Sequence, residues 1–143
     1  MTLVFNTDLV ASQLAKEEGY RRFVYDDHLG YETIGYGRCL AEGVGYGIDE
    51  EEARYLLIRD IDRVKRSCAE AFNFWEDVSP NIRETIVMLV FQMGLAGYQK
   101  FTKHLRAIAD ANFDEAAAQL LDSKFAKQTP ARAKRMAKRI KRG

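Results

Sequence analysis

The glycines of this chain are unevenly distributed, and that distribution constrains the fold more than any other feature of the sequence. Seven of the ten glycines lie between Gly19 and Gly47. Glycine adopts backbone conformations that other residues rarely adopt, so such a cluster favours tight turns. Between the glycines stand short segments rich in aromatic and β-branched residues, at 23–25, 31–36 and 44–46. We therefore predict a small antiparallel sheet with tight turns in this part of the chain.

The residues on either side of this segment have a helical pattern. Residues 8–18 are predicted to form a first helix that stops at Gly19. Apolar residues recur every three or four positions from Ala53 to Phe72, which predicts a long helix. Asp49 and Glu52 have the spacing of a capping pair at its start.

Later helices are indicated by their first residues. Ser79-Pro80 and Thr129-Pro130 are typical helix starts, with proline in the first turn. Residues 82–93 are apolar on nearly every side, which predicts a central buried helix ended by Gly94 and Gly97. Two short amphipathic helices are expected over 102–111 and 114–122.

These elements together predict an α+β protein. Its 143 residues and mass of 16.4 kDa suit one domain, residues 1–143. We expect a small antiparallel-sheet lobe at about 14–52, joined by a long helix at about 50–72 to a larger helical lobe. That helical lobe would comprise about 79–143 together with the N-terminal helix.

The charge of the chain is balanced overall but concentrated at one end. Twenty-two Lys and Arg face twenty-one Asp and Glu, which gives a net charge of +1 and argues against a wholly basic nucleic-acid-binding protein. Residues 132–143 hold seven basic residues and no acidic one, so the rest carries 15 basic and 21 acidic residues, about −6. We predict a basic final helix. Such a charge run is usually a solvated face, and weak contact with an anionic cell envelope is the functional alternative.

Other compositional signals are weak. No apolar run approaches the roughly 18 residues of a membrane span, and the N-terminus lacks the features of a secretory signal. Cys39, Cys68, His28 and His104 are too few and too scattered to predict a metal site. The sequence thus predicts no metal and no organic cofactor. The run Gly43-Val-Gly-Tyr-Gly47 lacks the preceding strand and the lysine of a phosphate-binding loop.

Two acidic residues in the glycine-rich segment are candidates for catalysis. Glu18 is predicted at a helix end and Asp27 at a strand end, each close to a glycine turn. Glycoside hydrolysis uses two such carboxyl groups, one as a general acid and one to activate water or attack the sugar. Thr33, on the next predicted strand, supplies a hydroxyl group to hold that water. Solvated or turn-capping carboxylates remain the alternative interpretation from spacing alone.

The motifs around these residues resemble one known family. Glu18-Gly-x-Arg, Tyr25-x-Asp and Gly30-Tyr-x-Thr-Ile-Gly-x-Gly are similar to the catalytic segment of phage lysozymes of the T-even type, which are muramidases. The later segments at 90–94, 113–117 and 128–135 also resemble that family, in the right order. The resemblance implies a lysozyme-like α+β fold and a phage endolysin. Its substrate would be the β-1,4 bond between N-acetylmuramic acid and N-acetylglucosamine in peptidoglycan.

The resemblance also implies roles for individual residues. Glu18 would be the general acid, Asp27 would position or activate water, and Thr33 would be its hydroxyl partner. Arg132 would reach Glu18 from the helical lobe. The implied substrate contacts are Cys39, Phe91, Gln92, His104, Gln119, Gln128 and Arg132.

This chain departs from the family pattern at three places. Arg38 stands where the family usually has histidine, and Leu29 where glutamate is common. The segment between Gly37 and Asp49 is also shorter than in the T-even enzyme. We therefore expect changed packing at Arg38, the loss of one polar sugar contact at Leu29, and a trimmed sheet lobe.

Alternative functions remain open at this point. A lytic transglycosylase is one alternative, and its reaction needs one acidic group and no hydrolytic water. Asp27 would then have no catalytic role, which argues against this alternative. Nucleic-acid binding by the basic helix is disfavoured because no aromatic residues are interleaved with its charges. We expect a monomer that collects in the host cytoplasm and reaches the wall through a holin, although a place in a virion tail stays open.

Overall fold

The computed structural model describes residues 3–143. These residues divide into two compact units with a boundary after Leu56. The first unit contains helix α1 (Thr7–Glu18) and the strands β1 (Arg21–Asp26), β2 (Glu32–Gly35) and β3 (Arg38–Cys39). Helix α2 (Glu50–Ala71) begins in this unit and continues past the boundary.

The strands form one antiparallel sheet in the order β1-β2-β3. Thr33 of the central strand pairs with Tyr25 on one side and with Cys39 on the other. The register shifts between Arg21 and Tyr25, which marks a bulge in β1. The predicted small antiparallel sheet is therefore present, with β2 in its middle.

One predicted strand was wrong. Residues 44–46 are not a strand, and the third strand is Arg38–Cys39 instead. Gly45 lies so close to Cys39 that a Cβ atom at that position would be 2.1 Å from the Cys39 carbonyl oxygen. The amides of Tyr46 and Gly47 donate to that same oxygen, at 3.1 and 3.4 Å. The segment therefore folds back over β3 as a loop, because glycine permits the close backbone approach.

The helix caps follow the sequence signals. The side chain of Asp49 accepts a hydrogen bond from the amide of Glu52 at 2.7 Å, and Glu52 accepts from the amide of Asp49 at 3.2 Å. This reciprocal pair is the predicted capping box at the start of α2. Ser79 caps the next helix by accepting from the amide of Ile82 at 3.2 Å, and Gly94 ends it.

The second unit is helical. After a 3₁₀ turn at Trp75–Asp77, it contains α3 (Pro80–Met93), α4 (Leu95–Gln99), α5 (Thr102–Ala109), α6 (Phe113–Leu121), α7 (Lys124–Gln128) and α8 (Pro130–Arg142). The sequence did not predict α4 and α7, which are only five residues long. A mostly helical chain with one small antiparallel sheet confirms the predicted α+β class.

The core of the second unit is built around α3. Ile82, Ile86 and Leu89 have no solvent exposure, as expected for the predicted central helix. Phe72 and Trp75, just after α2, are also buried and belong to this core.

The division into lobes remains a prediction. Helix α1 lies in the first compact unit, whereas the sequence predicted it in the helical lobe.

In the described part of the chain, no helix is both long enough and apolar enough to cross a membrane.

Candidate active site

Glu18 is the last residue of α1, and local geometry fixes where its carboxylate lies. Gly19 follows with φ of 73° and donates its amide to the Ala15 carbonyl at 3.0 Å, which ends the helix. Gly37, in the turn between β2 and β3, has φ of 79°. A Cβ atom on Gly37 would lie 2.9 Å from Oε2 of Glu18. The Glu18 carboxylate therefore packs against the bare backbone of this turn.

Asp27 follows β1 and is held by the turn after it. Its Oδ1 accepts hydrogen bonds from the amides of Leu29 at 2.8 Å and Tyr31 at 2.9 Å. These backbone bonds, with that of Tyr31 the strongest influence, hold the pKa of Asp27 below its ordinary value. Both bonds use Oδ1, and within residues 3–143 no hydrogen bond to the other carboxylate oxygen is found.

Thr33 is joined to Asp27 through one peptide group. The Thr33 hydroxyl donates to the Tyr31 carbonyl at 2.9 Å, and the amide of Asp27 donates to the same oxygen at 2.9 Å. Thr33 is 3% exposed. Since its proton is engaged by Tyr31, this hydroxyl can serve a water molecule only as an acceptor.

Arg38 makes an ion pair that the sequence analysis missed. Its guanidinium contacts both carboxylate oxygens of Glu52, at 3.1 and 2.7 Å, and donates to the Gly47 carbonyl at 3.0 Å. The hydrogen bond from Arg38 lowers the pKa of Glu52. Arg38 thus joins β3 to the following loop and the first turn of α2. The fourteen-residue separation gave no signal for this pairing, because the spacing matches neither a helix face nor a hairpin.

Two predicted substrate contacts in the second unit share a cavity. Phe91 and Arg132 line a cavity of about 540 Å³ together with Trp75. Phe91 is 46% exposed. Gln92, next to Phe91 on α3, and Gln128, at the end of α7, are also exposed. Direct contact of these four residues with substrate stays a prediction.

His104 and Gln119 border a second groove, of about 280 Å³. His104 is 1% exposed. Its Nδ1 lies 2.7 Å from the Ala116 carbonyl, and its Nε2 lies 2.8 Å from the Tyr98 hydroxyl. Because a carbonyl only accepts, Nδ1 carries the proton and Nε2 accepts from Tyr98. Burial holds the pKa of His104 below its ordinary value.

The sugar contact predicted for His104 stays a prediction. Both ring nitrogens are already bonded inside the protein, so neither is free for a sugar hydroxyl group. The side chain of Gln119 is half-buried and donates to Glu115 at 2.7 Å. Its contact with substrate stays a prediction.

The predicted site residues are divided between the two units. Glu18, Asp27, Thr33 and Cys39 belong to the first unit. Cys39 is a half-buried free thiol in β3, and no described contact tests its role as a sugar ligand. Arg132 belongs to the second unit, so its pairing with Glu18 would join the two units and stays a prediction.

In the range 3–143, no three His, Cys, Asp or Glu side chains lie close enough together to hold a metal ion.

Comparison with known proteins places this arrangement in a family. The model of the family "Phage lysozyme" matches residues 15–142. The chain is 30% identical over 152 residues to the pre-baseplate central spike protein Gp5 of Enterobacteria phage T4, covering 89% of this chain and 26% of that protein. It is 30% identical over 134 residues to the peptidoglycan hydrolase gp36 of Pseudomonas phage phiKMV, covering 90% and 14%.

A third relative is similar in length. The chain is 25% identical over 150 residues to the probable T4-type lysozyme 2 of Dictyostelium discoideum, covering 86% of this chain and 88% of that protein. By contrast, the chain spans only about a quarter of the T4 spike protein and a seventh of gp36. Because the family model matches nearly the whole chain and includes the Glu18, Asp27 and Thr33 segment, this chain belongs to the phage lysozyme family of glycoside hydrolases.

Proposed function

We propose that this chain is a phage endolysin that hydrolyses the β-1,4 bond between N-acetylmuramic acid and N-acetylglucosamine in peptidoglycan, and so lyses the host cell. Membership of the phage lysozyme family supports the reaction class. Similarity to a protein named as a peptidoglycan hydrolase supports the substrate.

The environment of Asp27 is the observation that carries the proposal. Two backbone amides bond one carboxylate oxygen and hold the pKa low, so the group is ionised at neutral pH. In the proposed reaction, its other oxygen takes a proton from water while that water bonds to the anomeric carbon. Thr33 accepts the second hydrogen bond of this water.

Glu18 supplies the complementary proton. As the bond from the anomeric carbon to the leaving oxygen breaks, Glu18 in its protonated form donates to that oxygen. Attack by water on the face opposite the leaving group inverts the anomeric configuration. We therefore expect the product released first to be the α-anomer, which proton NMR distinguishes from the β-anomer.

Product analysis on purified peptidoglycan tests the reaction. Hydrolysis creates new reducing muramic-acid ends, whereas a lytic transglycosylase creates anhydro ends. Glu18→Gln and Asp27→Asn keep the side-chain shape and should each lower kcat by about 10³-fold, within the range for general acid–base catalysis. Asp26→Asn, at the neighbouring exposed carboxylate, is the matched control. Anhydro products, or full activity in both variants, would refute the proposed mechanism.

The pH profile gives a second test. Because the folded-state pKa of Asp27 is lowered, its carboxylate stays ionised until the pH falls below the ordinary range of about 3.9. The lowered pKa of Asp27 also stabilises the folded state at pH values above the ordinary pKa of aspartate. This stabilisation is lost as the pH falls through the lowered pKa. The acidic limb of kcat/KM that belongs to Asp27 should therefore lie below about pH 4. An acidic limb near pH 6 would contradict this assignment.

The basic helix α8 is proposed to make weak contact with the anionic cell envelope. Lys134, Lys138 and Lys141 are exposed on it, whereas Met136 and Ile140 are buried in the core. A deletion from Met136 onward would thus damage the fold, so the test uses the three Lys→Gln substitutions together. They should weaken binding to anionic vesicles at low salt, and unchanged binding would refute the contact.

We also propose that the chain acts as a monomer and is released from the host cytoplasm through a holin. Light scattering tests the first point, and lysis of cells that express the chain with and without a holin tests the second. Similarity to a T4 spike protein favours a second candidate, a lysozyme carried in the virion tail. Detection of the chain in purified virions would support that candidate.

A further inference from the structure

A groove in the first unit lies on the face of the sheet opposite to Thr33. Successive side chains of a strand point to opposite faces, so Ile34 and Thr33 face opposite ways on β2. Ile34 pairs with Arg38 of β3, and both residues line a groove of about 460 Å³. Thr33 pairs instead with Cys39. The groove is therefore separate from the face that carries the candidate catalytic hydroxyl group.

Tyrosine side chains reach this groove from the sheet and from the helix that border it. Tyr36, directly after β2, and Tyr55, in the second turn of α2, both line the groove and are both exposed. The ring centroid of Tyr20 lies 5.7 Å from that of Tyr36, with the two rings tilted by 50°. Because Tyr20 is exposed as well, the aromatic surface continues beyond the groove. Ile48 and Leu56 add apolar surface to the lining.

The charges that line the groove nearly cancel. Arg38 contacts both carboxylate oxygens of Glu52, so this pair adds no net charge. Glu51 also lines the groove, is exposed, and has no ion-pair partner within residues 3–143. It precedes Tyr55 by four residues in α2, so the two side chains lie on one face of the helix. The groove thus combines tyrosine rings with one carboxylate that is free to accept hydrogen bonds.

This combination suits an uncharged ring that carries hydroxyl groups. Ligand sites commonly have volumes of roughly 300–1,000 Å³ and join aromatic walls to a few polar groups. The C–H faces of a pyranose can pack on the negatively polarised faces of tyrosine rings. Its hydroxyl and acetamido N–H groups can donate to Glu51, whereas an anionic ligand would be repelled by the same carboxylate. We propose that this groove is a second saccharide site, which binds an N-acetylglucosamine ring of the glycan strand.

Such a site would act through the length of the substrate. This inference rests on the proposed function, because it takes the glycan strand of peptidoglycan as the polymer that both sites bind. A cell wall presents many sugar repeats, so one chain can engage a wall at two places at once, and the second contact is then effectively intramolecular. A short soluble fragment can engage one place only. The second site should therefore favour walls over fragments.

The test compares purified walls with a soluble peptidoglycan tetrasaccharide as substrates of the full chain. Tyr36→Ala and Tyr55→Ala are combined in one variant. We expect the ratio of its kcat/KM on walls to its kcat/KM on the tetrasaccharide to fall about 5- to 50-fold, the range expected for the loss of two aromatic contacts. Phe23→Ala and Tyr46→Ala form the control variant, since both residues are exposed aromatics that do not line the groove. The control should keep the wild-type ratio.

A binding measurement tests the groove directly. Triacetylchitotriose is titrated into the wild type, and NMR follows the backbone amides of Ile34, Tyr36 and Tyr55. We expect these amides to shift in the wild type, and the sugar to bind at least 5-fold more weakly to the Tyr36→Ala, Tyr55→Ala variant. Circular dichroism checks that both double variants keep the wild-type helix content.

Three results would overturn the second site. They are an equal fall of the ratio in both double variants, no fall in either, and no shift of the groove amides with triacetylchitotriose. Light scattering that shows a dimer for the wild type and a monomer for the groove variant would also overturn it, because the groove would then hold a second copy of the chain. Failure of the proposed function looks different, since the wild type would then cleave neither walls nor tetrasaccharide.

Discussion

The two units of this molecule are stabilised in different ways, and the candidate catalytic groups lie in the one with the less buried interior. Within residues 3–56, Thr33 is the one side chain with less than a tenth of its surface exposed. The second unit buries an apolar cluster that includes Ile82, Ile86, Leu89 and Ile140. Hydrophobic burial is the main favourable contribution to folding, so we expect the second unit to contribute most of the stability.

The first unit depends instead on backbone geometry and polar contacts. Positive-φ glycines make its turns, the Tyr31 peptide joins Asp27 to Thr33, and Arg38 joins β3 to α2. Such contacts fix positions while most side chains of this unit stay exposed or half-buried. The difference teaches that this chain separates stability from chemistry, since Glu18 is exposed and Asp27 is half-buried, and Thr33 is the one buried member of the candidate catalytic group.

Removal of core volume should have the largest effect. Leu89→Ala leaves a cavity in the fully buried centre of α3 and should cost about 3 kcal/mol of unfolding free energy. Leu29→Ala is the same chemical change at a residue that is 68% exposed, and it should cost less than about 0.5 kcal/mol. Urea unfolding measures both values. Similar losses of unfolding free energy in the two variants would contradict the inference that the second unit contributes most of the stability.

Removal of one buried hydroxyl group should have the next largest effect. Tyr98→Phe leaves Nε2 of His104 buried without its hydrogen-bond donor. This change should lower the free energy of unfolding by about 2 kcal/mol. Tyr46→Phe removes the same hydroxyl from a residue that is 91% exposed, and it should leave stability unchanged. Thermal unfolding compares the two variants. If Tyr98→Phe unfolds at the same temperature as the wild type, then the hydrogen bond between Tyr98 and His104 adds nothing to the stability of the protein.

A methyl group at Gly37 should reduce activity more than stability. Gly37→Ala adds a Cβ atom 2.9 Å from Oε2 of Glu18, so the carboxylate must move. We expect kcat to fall by about 10- to 100-fold, the size of effect that a small misplacement of a catalytic group produces. Gly43→Ala is the control, because its φ of 80° gives the same backbone strain with no atom within 4 Å.

The result at Gly37 separates two causes. If both variants lose activity equally, then backbone strain in the first unit is responsible and the contact with Glu18 is not. If only Gly37→Ala loses activity, then the position of the Glu18 carboxylate depends on this turn.

Removal of the exposed ion pair should have the smallest effect. Arg38 and Glu52 retain 38% and 37% of their side-chain exposure, so solvent screens the attraction between them. A double-mutant cycle with Arg38→Gln and Glu52→Gln should give a coupling free energy of less than about 1 kcal/mol. A coupling of about 3 kcal/mol would mean that the first unit depends on this pair as the second depends on its core.

Much of this protein could be predicted because its signals are local. The capping pair of Asp49 and Glu52 and the helix start at Ser79-Pro80 were both readable from neighbouring residues. The family itself was recognisable from the motif around Glu18 and Asp27, which the match over 15–142 confirms. The sheet was predictable as a sheet, since glycine turns separate short apolar segments.

The errors arose where distant residues decide the outcome. Residues 44–46 have a strand-like composition, yet the close approach of Gly45 to the Cys39 carbonyl makes them a loop. The partners of His104 are also distant along the chain, since its buried ring nitrogens bond to Tyr98 and to the Ala116 carbonyl, and its sugar contact stays a prediction. Neither partner could be inferred from the neighbouring sequence.

The sequence by itself determined the longer helices, the presence of the sheet, the family and the identity of the candidate carboxyl groups, because local conformational preferences and motif residues specify them. Only the tertiary structure decided which backbone amides hold Asp27, which turn packs against Glu18, and which carboxylate pairs with Arg38. The physical reason is that hydrogen bonds, close packing and electrostatic fields depend on distances in space, and separation along the chain does not fix those distances.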